Sequence, residues 1–212
     1  TLESLNNNTG TIALLSSGGI NGGSGTVLMR AANYAFGGAD RTITTTGVLT
    51  IQPDADENSF ASSFDNQYLN PVSVTGLTLG KSSNASAITL SRAISLSGPV
   101  SIYGGSIDVN ANITANSGNI LLDADTGSTL NQSSTGILLD DAITIETVTS
   151  GNLTLIGRSG DTGSGFDGID ASSANTTTLR SAGNLTLQGY SYAASGSGRG
   201  VDLNNDVIAA SG

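Results

Sequence analysis

Residues 151–155 read Gly-Asn-Leu-Thr-Leu, and residues 183–187 repeat the same five letters. After a connection of varying length, each copy is followed by a glycine that opens a short apolar stretch, as in Gly168-Ile-Asp-Ala171 and Gly200-Val-Asp-Leu203. Together with Gly136, these opening glycines recur every 32 residues. A fixed period of this size is typical of a solenoid, in which each repeat packs only on its neighbours.

The repeat extends toward the N-terminus as a recurring pair of short strands. β-Branched residues are common, and short apolar alternations bounded by Gly, Ser and Asn predict strands rather than helices. In each pair, a strand of the type x-Ile-Thr-x is followed by a small polar corner, a glycine and a second strand of the type x-Leu-Thr-Leu. The pairs are Thr42-Ile-Thr-Thr45 with Gly47-Val-Leu-Thr-Ile51, Val72-Ser-Val-Thr75 with Gly76-Leu-Thr-Leu79, Ala93-Ile-Ser-Leu96 with Gly98-Pro-Val-Ser-Ile102, Asn112-Ile-Thr114 with Gly118-Asn-Ile-Leu-Leu122, Ala142-Ile-Thr-Ile145 with residues 151–155, Thr177-Thr-Leu-Arg180 with residues 183–187 and, as a looser copy, Thr11-Ile-Ala-Leu14 with Gly25-Thr-Val-Leu-Met29.

A third strand follows each pair after the variable connection. Its copies are Ile88-Thr-Leu90, Ile107-Asp-Val109, Ile137-Leu-Leu139, Ile169-Asp-Ala171 and Val201-Asp-Leu203. Coils then run from about 20 residues in the middle of the chain to 32 near its C-terminus. We therefore predict an all-β fold, a right-handed parallel β-helix (solenoid) of about seven coils of three short strands with variable loop insertions, its hand following the rule for parallel crossovers. Because the pattern is cut in mid-repeat at both ends, we expect residues 1–212 to be a single β-helical segment excerpted from a longer protein.

Alternation along the strands predicts that Leu153 and Leu155 point inward and that Thr154 points outward. Three asparagines hold the same corner position and predict a ladder of stacked side chains bonded to one another and to the turn backbone. They are Asn119, Asn152 and Asn184. N-linked glycosylation is an alternative use of several Asn-x-Thr triplets. Those acceptor positions are Asn112, Asn152, Asn175 and Asn184.

Charge and composition disfavour several classes of function. Seventeen acidic residues against seven basic ones give a net charge of −10, which disfavours nucleic acid and anionic membrane surfaces as partners. The absence of cysteine excludes a disulfide framework and Cys-ligated zinc. No apolar run approaches the roughly 18 residues of a membrane span, so we expect no membrane insertion within this segment.

A glycine-rich, histidine-free chain of Gly-Asn-Leu-Thr-Leu rungs resembles the repeat regions of filamentous-haemagglutinin-like bacterial large exoproteins and adhesins. The resemblance covers residues 42–212 well and the first 41 residues loosely. The secretion domain of that family carries an Asn-Pro-Asn type motif, which Leu69-Asn-Pro-Val72 does not match. The resemblance therefore implies a structural shaft, outside the cell or on the bacterial surface. It also implies contacts with other copies or segments of the same protein and with a host or neighbouring cell-surface protein or glycan.

Open strand edges can pair between chains, so a subunit of a self-assembling extracellular filament or sheath is the main alternative. A polysaccharide-active enzyme is a second one, because such reactions need paired carboxylates, or a carboxylate with a basic partner, in a groove. The candidate acids are Asp123 with Asp125 and Asp140 with Asp141. Neighbouring strand residues face opposite sides, and the chain has no histidine and few basic residues. We therefore assign no catalytic residues and expect no enzymatic activity.

Three acidic patterns suggest calcium, although solvated loops have the same composition. The first pattern, with spacing like that of an EF-hand, is Asp54, Asp56, Asn58 and Asp65. The second is Asp202, Asn204 and Asp206. Ser59 and Val207 stand where the calcium loop needs glycine, and Asp65 replaces its bidentate glutamate. Residues 163–169 fit most of one nonapeptide calcium repeat, but no second copy follows. We therefore assign no metal or cofactor.

Aromatic residues concentrate in the variable connections. They are Tyr34, Phe36, Phe60, Phe64, Tyr68, Phe166, Tyr190 and Tyr192. If these connections stack along one edge, their rings form a partly apolar stripe that suits a glycan or a neighbouring protein. The alternative is that the rings pack locally against the flank of the helix.

Overall fold

The computed structural model describes residues 1–4, 9–15, 19–38, 40–54, 58–124, 134–140, 142–172, 176–192, 194–204 and 207–210. In these ranges the chain winds through three faces in turn, and strands pair in parallel with the strand three places further along, except between β5 and β8 and between β9 and β12. This arrangement is a parallel β-helix and confirms the predicted fold class. The described residues contain 24 strands in eight coils, one coil more than the sequence predicted.

The first face is one continuous sheet of eight strands, and it holds the second strand of each predicted pair. With strands numbered in chain order, it consists of β1 (Leu2–Ser4), β4 (Val27–Ala31), β7 (Val48–Gln52), β10 (Gly76–Leu79), β13 (Val100–Gly104), β16 (Ile120–Ala124), β19 (Leu153–Arg158) and β22 (Leu185–Tyr190).

The second face holds the predicted third strands and is divided into two sheets. The short sheet pairs β2 (Thr11–Leu14) with β5 (Asn33–Phe36). The longer sheet consists of β8 (Phe64–Asp65), β11 (Ile88–Leu90), β14 (Ile107–Val109), β17 (Ile137–Leu139), β20 (Ile169–Ala171) and β23 (Val201–Leu203).

The third face holds the first strand of the predicted pairs other than the N-terminal one and is also divided. One sheet consists of β3 (Ile20–Gly23), β6 (Arg41–Thr45) and β9 (Leu69–Val72). The other consists of β12 (Ile94–Leu96), β15 (Ile113–Ser117), β18 (Thr144–Ser150), β21 (Thr178–Ser181) and β24 (Val207–Ala210).

Two predicted strand positions are wrong. Thr11–Leu14 lies on the second face, and Ile20–Gly23 is the strand that leads into β4. The strand predicted over residues 72–75 instead ends at Val72, because Ser73 adopts a left-handed φ of 58°. Pro71 lacks an N–H, which suits the position of β9 as the last strand of its sheet.

The register confirms the predicted variation in coil length. Val100 pairs with Ile120, a step of 20 residues, whereas Ile169 pairs with Val201, a step of 32. Most of the extra residues enter where the first face leads into the second: two residues connect β13 to β14, and ten connect β19 to β20. The corner between the third and first faces stays short, as predicted.

Alternating strand residues point into a single core. The buried apolar side chains form one cluster that extends from Ile12 to Leu179. Leu153 and Leu155 are fully buried, as predicted, and Thr154 lies on the outer side of the same strand. Each interior coil is therefore covered by its neighbours above and below, which is how a solenoid gains its stability.

At the short corner the predicted asparagine ladder is confirmed in its bonds between side chain and turn backbone. The backbone N–H of Asn152 donates to Oδ1 of Asn119 at 2.8 Å, and the N–H of Asn184 donates to Oδ1 of Asn152 at 2.9 Å. Each side chain therefore binds the turn backbone of the next coil. Of the other glycosylation candidates, Asn112 accepts from the N–H of Thr144 at 2.8 Å, and Asn175 lies outside the described residues.

The 32-residue glycine period has a steric cause at the variable corner. A Cβ on Gly168 would lie 2.3 Å from the nitrogen of Tyr190 and 2.5 Å from the carbonyl oxygen of Gly200. A Cβ on Gly157 would lie 2.0 Å from the carbonyl oxygen of Gly168. The backbones of the first and second faces therefore touch at this corner and leave no room for a side chain.

Candidate functional site

The outer side of the first face carries a row of aromatic and charged side chains over the last four coils. Tyr103 pairs in register with Asp123, and Arg158 pairs with Tyr190. Nη1 of Arg158 lies 3.1 Å from Oδ1 of Asp123, and its Cζ lies 5.5 Å from the centre of the Tyr190 ring. The rings of Tyr190 and Tyr192 stack with centroids 6.5 Å apart and planes 14° from parallel. We call these five residues the aromatic strip.

Buried backbone contacts hold the two C-terminal tyrosines in place. The N–H of the buried Ser159 donates to the carbonyl oxygen of Tyr190 at 2.9 Å, and the N–H of Tyr192 donates to Oγ of Ser159 at 2.9 Å. Between them, Oγ of Ser191 donates to the carbonyl oxygen of Phe166 at 2.8 Å. Both rings nevertheless remain more than two-fifths exposed. The strip therefore presents ordered aromatic surface to solvent.

The corner insertions of the last two coils lie on each other next to the strip. Ser164 in the connection from β19 to β20 forms a parallel bridge with Ser195 in the connection that follows β22. The backbone nitrogen of Tyr190 lies close to Gly168, the residue that ends the first of these connections. The predicted stacking of variable connections is therefore found at this end of the helix, and it borders the aromatic strip.

The N-terminal aromatic residues pack locally instead. Tyr34, Phe36, Phe60 and Phe64 form one cluster with ring centroids 5.5 to 6.1 Å apart. Phe60 and Phe64 are buried, and the hydroxyl of Tyr34 donates to the carbonyl oxygen of Gln52 at 2.8 Å. Burial raises the pKa of the Tyr34 hydroxyl well above its usual range. This cluster lies where the second face passes from β5 to β8, so its rings are part of the core.

Two of the predicted calcium patterns meet in space. Asp167 from residues 163–169 lies beside Asp202, and Asp170 joins them, with one carboxylate oxygen of each within 4.8 Å of the others. Each carboxylate already has a partner. Asp167 accepts from the backbone N–H of Arg199, Asp202 pairs with the Arg199 guanidinium, and Asp170 accepts from the N–H of Ser172 at 2.8 Å. Arg199 thus brings a cation into the cluster, and calcium binding here stays a hypothesis.

The EF-hand-type pattern is divided between different environments. Asp54 is buried, and its Oδ1 has no hydrogen-bond partner. Asp65 is exposed and accepts from the N–H of Gln67 at 2.9 Å and from the hydroxyl of Ser91 at 3.1 Å. The carbonyl oxygen of Asn58 accepts from the hydroxyl of Ser83 at 3.1 Å. Asp56 and Asp206 lie outside the described residues.

The acids considered for catalysis are only partly described. Asp123 forms the ion pair with Arg158, and Asp140 lies just beyond β17, where its N–H donates to the carbonyl oxygen of Val109 at 3.0 Å. Asp125 and Asp141 lie outside the described residues.

The outer side of the second face carries a row of aspartates that the sequence motifs did not predict. Four aspartates hold equivalent register positions on this face: Asp65, Asp108, Asp170 and Asp202. They lie on β8, β14, β20 and β23, so the last two are in neighbouring coils. The repeated Ile-Asp pattern of the predicted third strands is the signal that would have revealed the row. Such a row concentrates negative charge on one face of the helix.

Comparison with known proteins gives no assignment. No family model, curated protein or solved structure matches the chain. The resemblance to adhesin repeats therefore stays a proposal. Within the described ranges, the structure contains no helix with the length and apolar character needed to cross a membrane.

Replacing Asp108 with asparagine is expected to stabilise the protein at pH 7 and to have little effect near pH 4. Burial, the largest cause, raises the pKa of Asp108; its hydrogen bond with Asn110 opposes the shift, and the charges of Asp140 and Asp65 add to it. An acid whose pKa is raised by folding binds more protons in the folded state, so its contribution to stability falls as pH rises from its unfolded pKa, about 3.9, through its folded pKa. Urea denaturation of both proteins across this range measures the difference. A difference that does not change with pH contradicts the assignment.

Proposed function

We propose that the chain is a structural shaft segment of a secreted or surface-displayed bacterial adhesin-like exoprotein, with loops presented for contact with a cell surface or a glycan. The observation that supports this most directly is the stack of eight coils whose first face is one continuous sheet while the corner after it takes up most of the insertions. A shaft needs a stiff axis, and parallel pairing from coil to coil supplies it. A presenting surface needs variable side chains, and the connections between the first and second faces supply those.

The surface location can be tested with an antibody raised against the purified chain. Labelling of intact producing cells is expected, with immunogold particles at a distance from the envelope. A cytoplasmic protein of the same organism serves as the control and should be labelled only after permeabilisation. Labelling of this chain only after permeabilisation would refute the proposal.

A filament subunit is the second candidate, because the 212-residue chain taken by itself has unpaired strand edges that could pair between copies. In the described residues, the first-coil strands β1, β2 and β3 each pair on one side only, as do β22, β23 and β24 of the last coil. A cavity of about 380 Å³ opens beside Leu2, Ile20 and Val27 in the first coil, and Leu203 is 38% exposed in the last. Unpaired edges over an apolar interior favour head-to-tail stacking.

Light scattering and negative-stain microscopy of the purified chain distinguish the two candidates. A shaft segment is expected to give discrete monomers about 35 Å long, since eight rungs are spaced about 4.8 Å apart. Long regular fibres would favour the filament subunit. In that case Leu203→Lys, which places a charge at the open end, should prevent fibre growth, whereas the same change at Val148 on the third face should not.

A further inference from the structure

We infer that the aromatic strip binds an extended neutral polysaccharide. This inference rests on the proposed surface function and names the partner of the shaft. The strip consists of Tyr103, Asp123, Arg158, Tyr190 and Tyr192 on the outer side of β13, β16, β19 and β22 and in the connection that follows β22.

The first argument concerns ordered but exposed aromatic surface. Tyr190 and Tyr192 are 44% and 43% exposed, whereas Phe60 and Phe64 are 4% exposed in the core. The two tyrosines are held through their backbones by Ser159. A tyrosine ring has an apolar face and only two rotatable bonds, so a held ring loses little conformational entropy when a ligand stacks on it. The C–H faces of a sugar ring are the complementary surface.

Charge within the strip selects a neutral ligand. Asp123 and Arg158 neutralise each other at 3.1 Å, so together they offer acceptors and donors for sugar hydroxyls without a net charge. An anionic polymer would also have to approach a chain of net charge −10, which repels it at long range. The strip therefore lacks the excess positive charge that an anionic polysaccharide needs and the excess negative charge that a polycation needs.

The dimensions of the strip suit a linear polymer. It crosses four neighbouring strands of the first face, a distance of about 14 Å at about 4.8 Å per strand, and it runs obliquely, because Arg158 lies two residues beyond Ile156, the register partner of Asp123. That rung spacing is close to the length of one pyranose residue, so successive sugars can meet successive coils. The stacked connections that contain Ser164 and Ser195 border the strip on one side. An extended chain laid across the coils follows this border.

The inference is tested by affinity electrophoresis of the 212-residue chain in gels that contain one soluble polysaccharide each. The neutral probes are hydroxyethylcellulose, galactomannan, mixed-linkage β-glucan and soluble starch, and the charged comparators are heparin and chitosan. Retardation by at least one neutral probe is expected. The double variant Tyr190→Ala/Tyr192→Ala should bind that probe about tenfold more weakly or worse, as expected for aromatic residues at the centre of a binding surface. The matching double phenylalanine variant keeps the rings and should retain most of the binding.

Val148→Ala provides the control, because Val148 is 49% exposed on the third face, away from the strip. It should bind like the unmodified chain, and circular dichroism should show that all variants remain folded. The inference is overturned if no neutral probe retards the chain, if the double alanine variant binds as well as the unmodified chain, or if only chitosan or heparin binds. Labelling of intact cells tests the shaft function separately, so a surface protein without polysaccharide binding would refute this inference alone.

Discussion

Gly168→Ala is expected to lower the free energy of unfolding by about 3 kcal/mol or more. The new Cβ would lie 2.3 Å from the nitrogen of Tyr190, 2.5 Å from the carbonyl oxygen of Gly200 and 2.8 Å from that of Gly157. All three are backbone atoms of neighbouring segments, so no side-chain rotation relieves the contact. Either the second-face strand β20 must move away from the first face, or the ladder hydrogen bonds at this corner must stretch.

Gly38→Ala is the matched control, because a Cβ at Gly38 would have no atom within 4 Å. This variant should stay within about 0.5 kcal/mol of the unmodified chain or gain slightly, since alanine restricts the unfolded state. Urea denaturation followed by circular dichroism measures both variants. Hydrogen exchange should also locate the loss from Gly168→Ala in the C-terminal coils, because a solenoid transmits a defect mainly to its neighbours. Equal stability of the two variants would show that the corner can open at no cost.

The steric role of Gly168 explains why the fold could be predicted from sequence. In the C-terminal coils the corner at Gly168 leaves no room for a side chain, so these coils mark the corner with glycine at a fixed place in the repeat, whereas Ala87 and Ser106 hold the equivalent position in earlier coils. Between those marks, an inward side chain at every second residue places Leu153 and Leu155 in the core. Period and alternation together therefore define the strands and their order. The prediction failed where a local backbone choice was decisive, as at Ser73, whose left-handed φ ends β9 early.

The candidate site could be predicted less well, because it depends on which coils lie side by side. The sequence shows Asp123, Arg158 and Tyr190 as three unrelated residues. The register pairs Arg158 with Tyr190, and the Arg158 side chain reaches back to Asp123, whose own register partner is Ile156. The same holds for Asp167 and Asp202, which belong to two different sequence patterns and share one cluster. Insertions of changing length separate these residues in sequence without separating them in space. A site whose residues come from several coils therefore cannot be recognised from the spacing of motifs in the sequence.

Buried polar residues could not be predicted from the sequence for a related reason, because their hydrogen-bond partners also lie in other coils. Arg41 is almost fully buried, and its Nε donates to the carbonyl oxygen of Leu14 at 2.5 Å while Nη2 donates to that of Leu15 at 3.1 Å. These partners lie one coil earlier. They are backbone carbonyl oxygens, which every residue has, so no residue type in the sequence identifies them. A charged residue within a strand pattern is usually exposed, so burial of Arg41 inside the helix could not be predicted from its neighbours in sequence.

Leu139→Ala is expected to lower the free energy of unfolding by about 3 kcal/mol, the usual cost of truncating a fully buried leucine. Leu139 ends β17, is 1% exposed and pairs in register with Val109 of the preceding coil. Removing its side chain leaves a cavity between stacked coils, and the rigid ladder on each side limits how far the cavity can collapse. Urea denaturation measures the change.

The neighbouring residue Leu138 makes it possible to test on which side of the sheet each leucine side chain lies, and not only whether Leu139 is buried. Leu138 has the same side chain in the same strand, points outward and is 41% exposed, so Leu138→Ala should cost less than about 1 kcal/mol. Composition, strand propensity and position along the chain are almost identical for the two variants, and only the side of the sheet differs. If the two substitutions cost the same, or if Leu138→Ala costs more, β17 is shifted by one residue. Leu138 would then lie in the core, and its present pairing with Asp108 and Asp170 on the outer side of the second face would be lost.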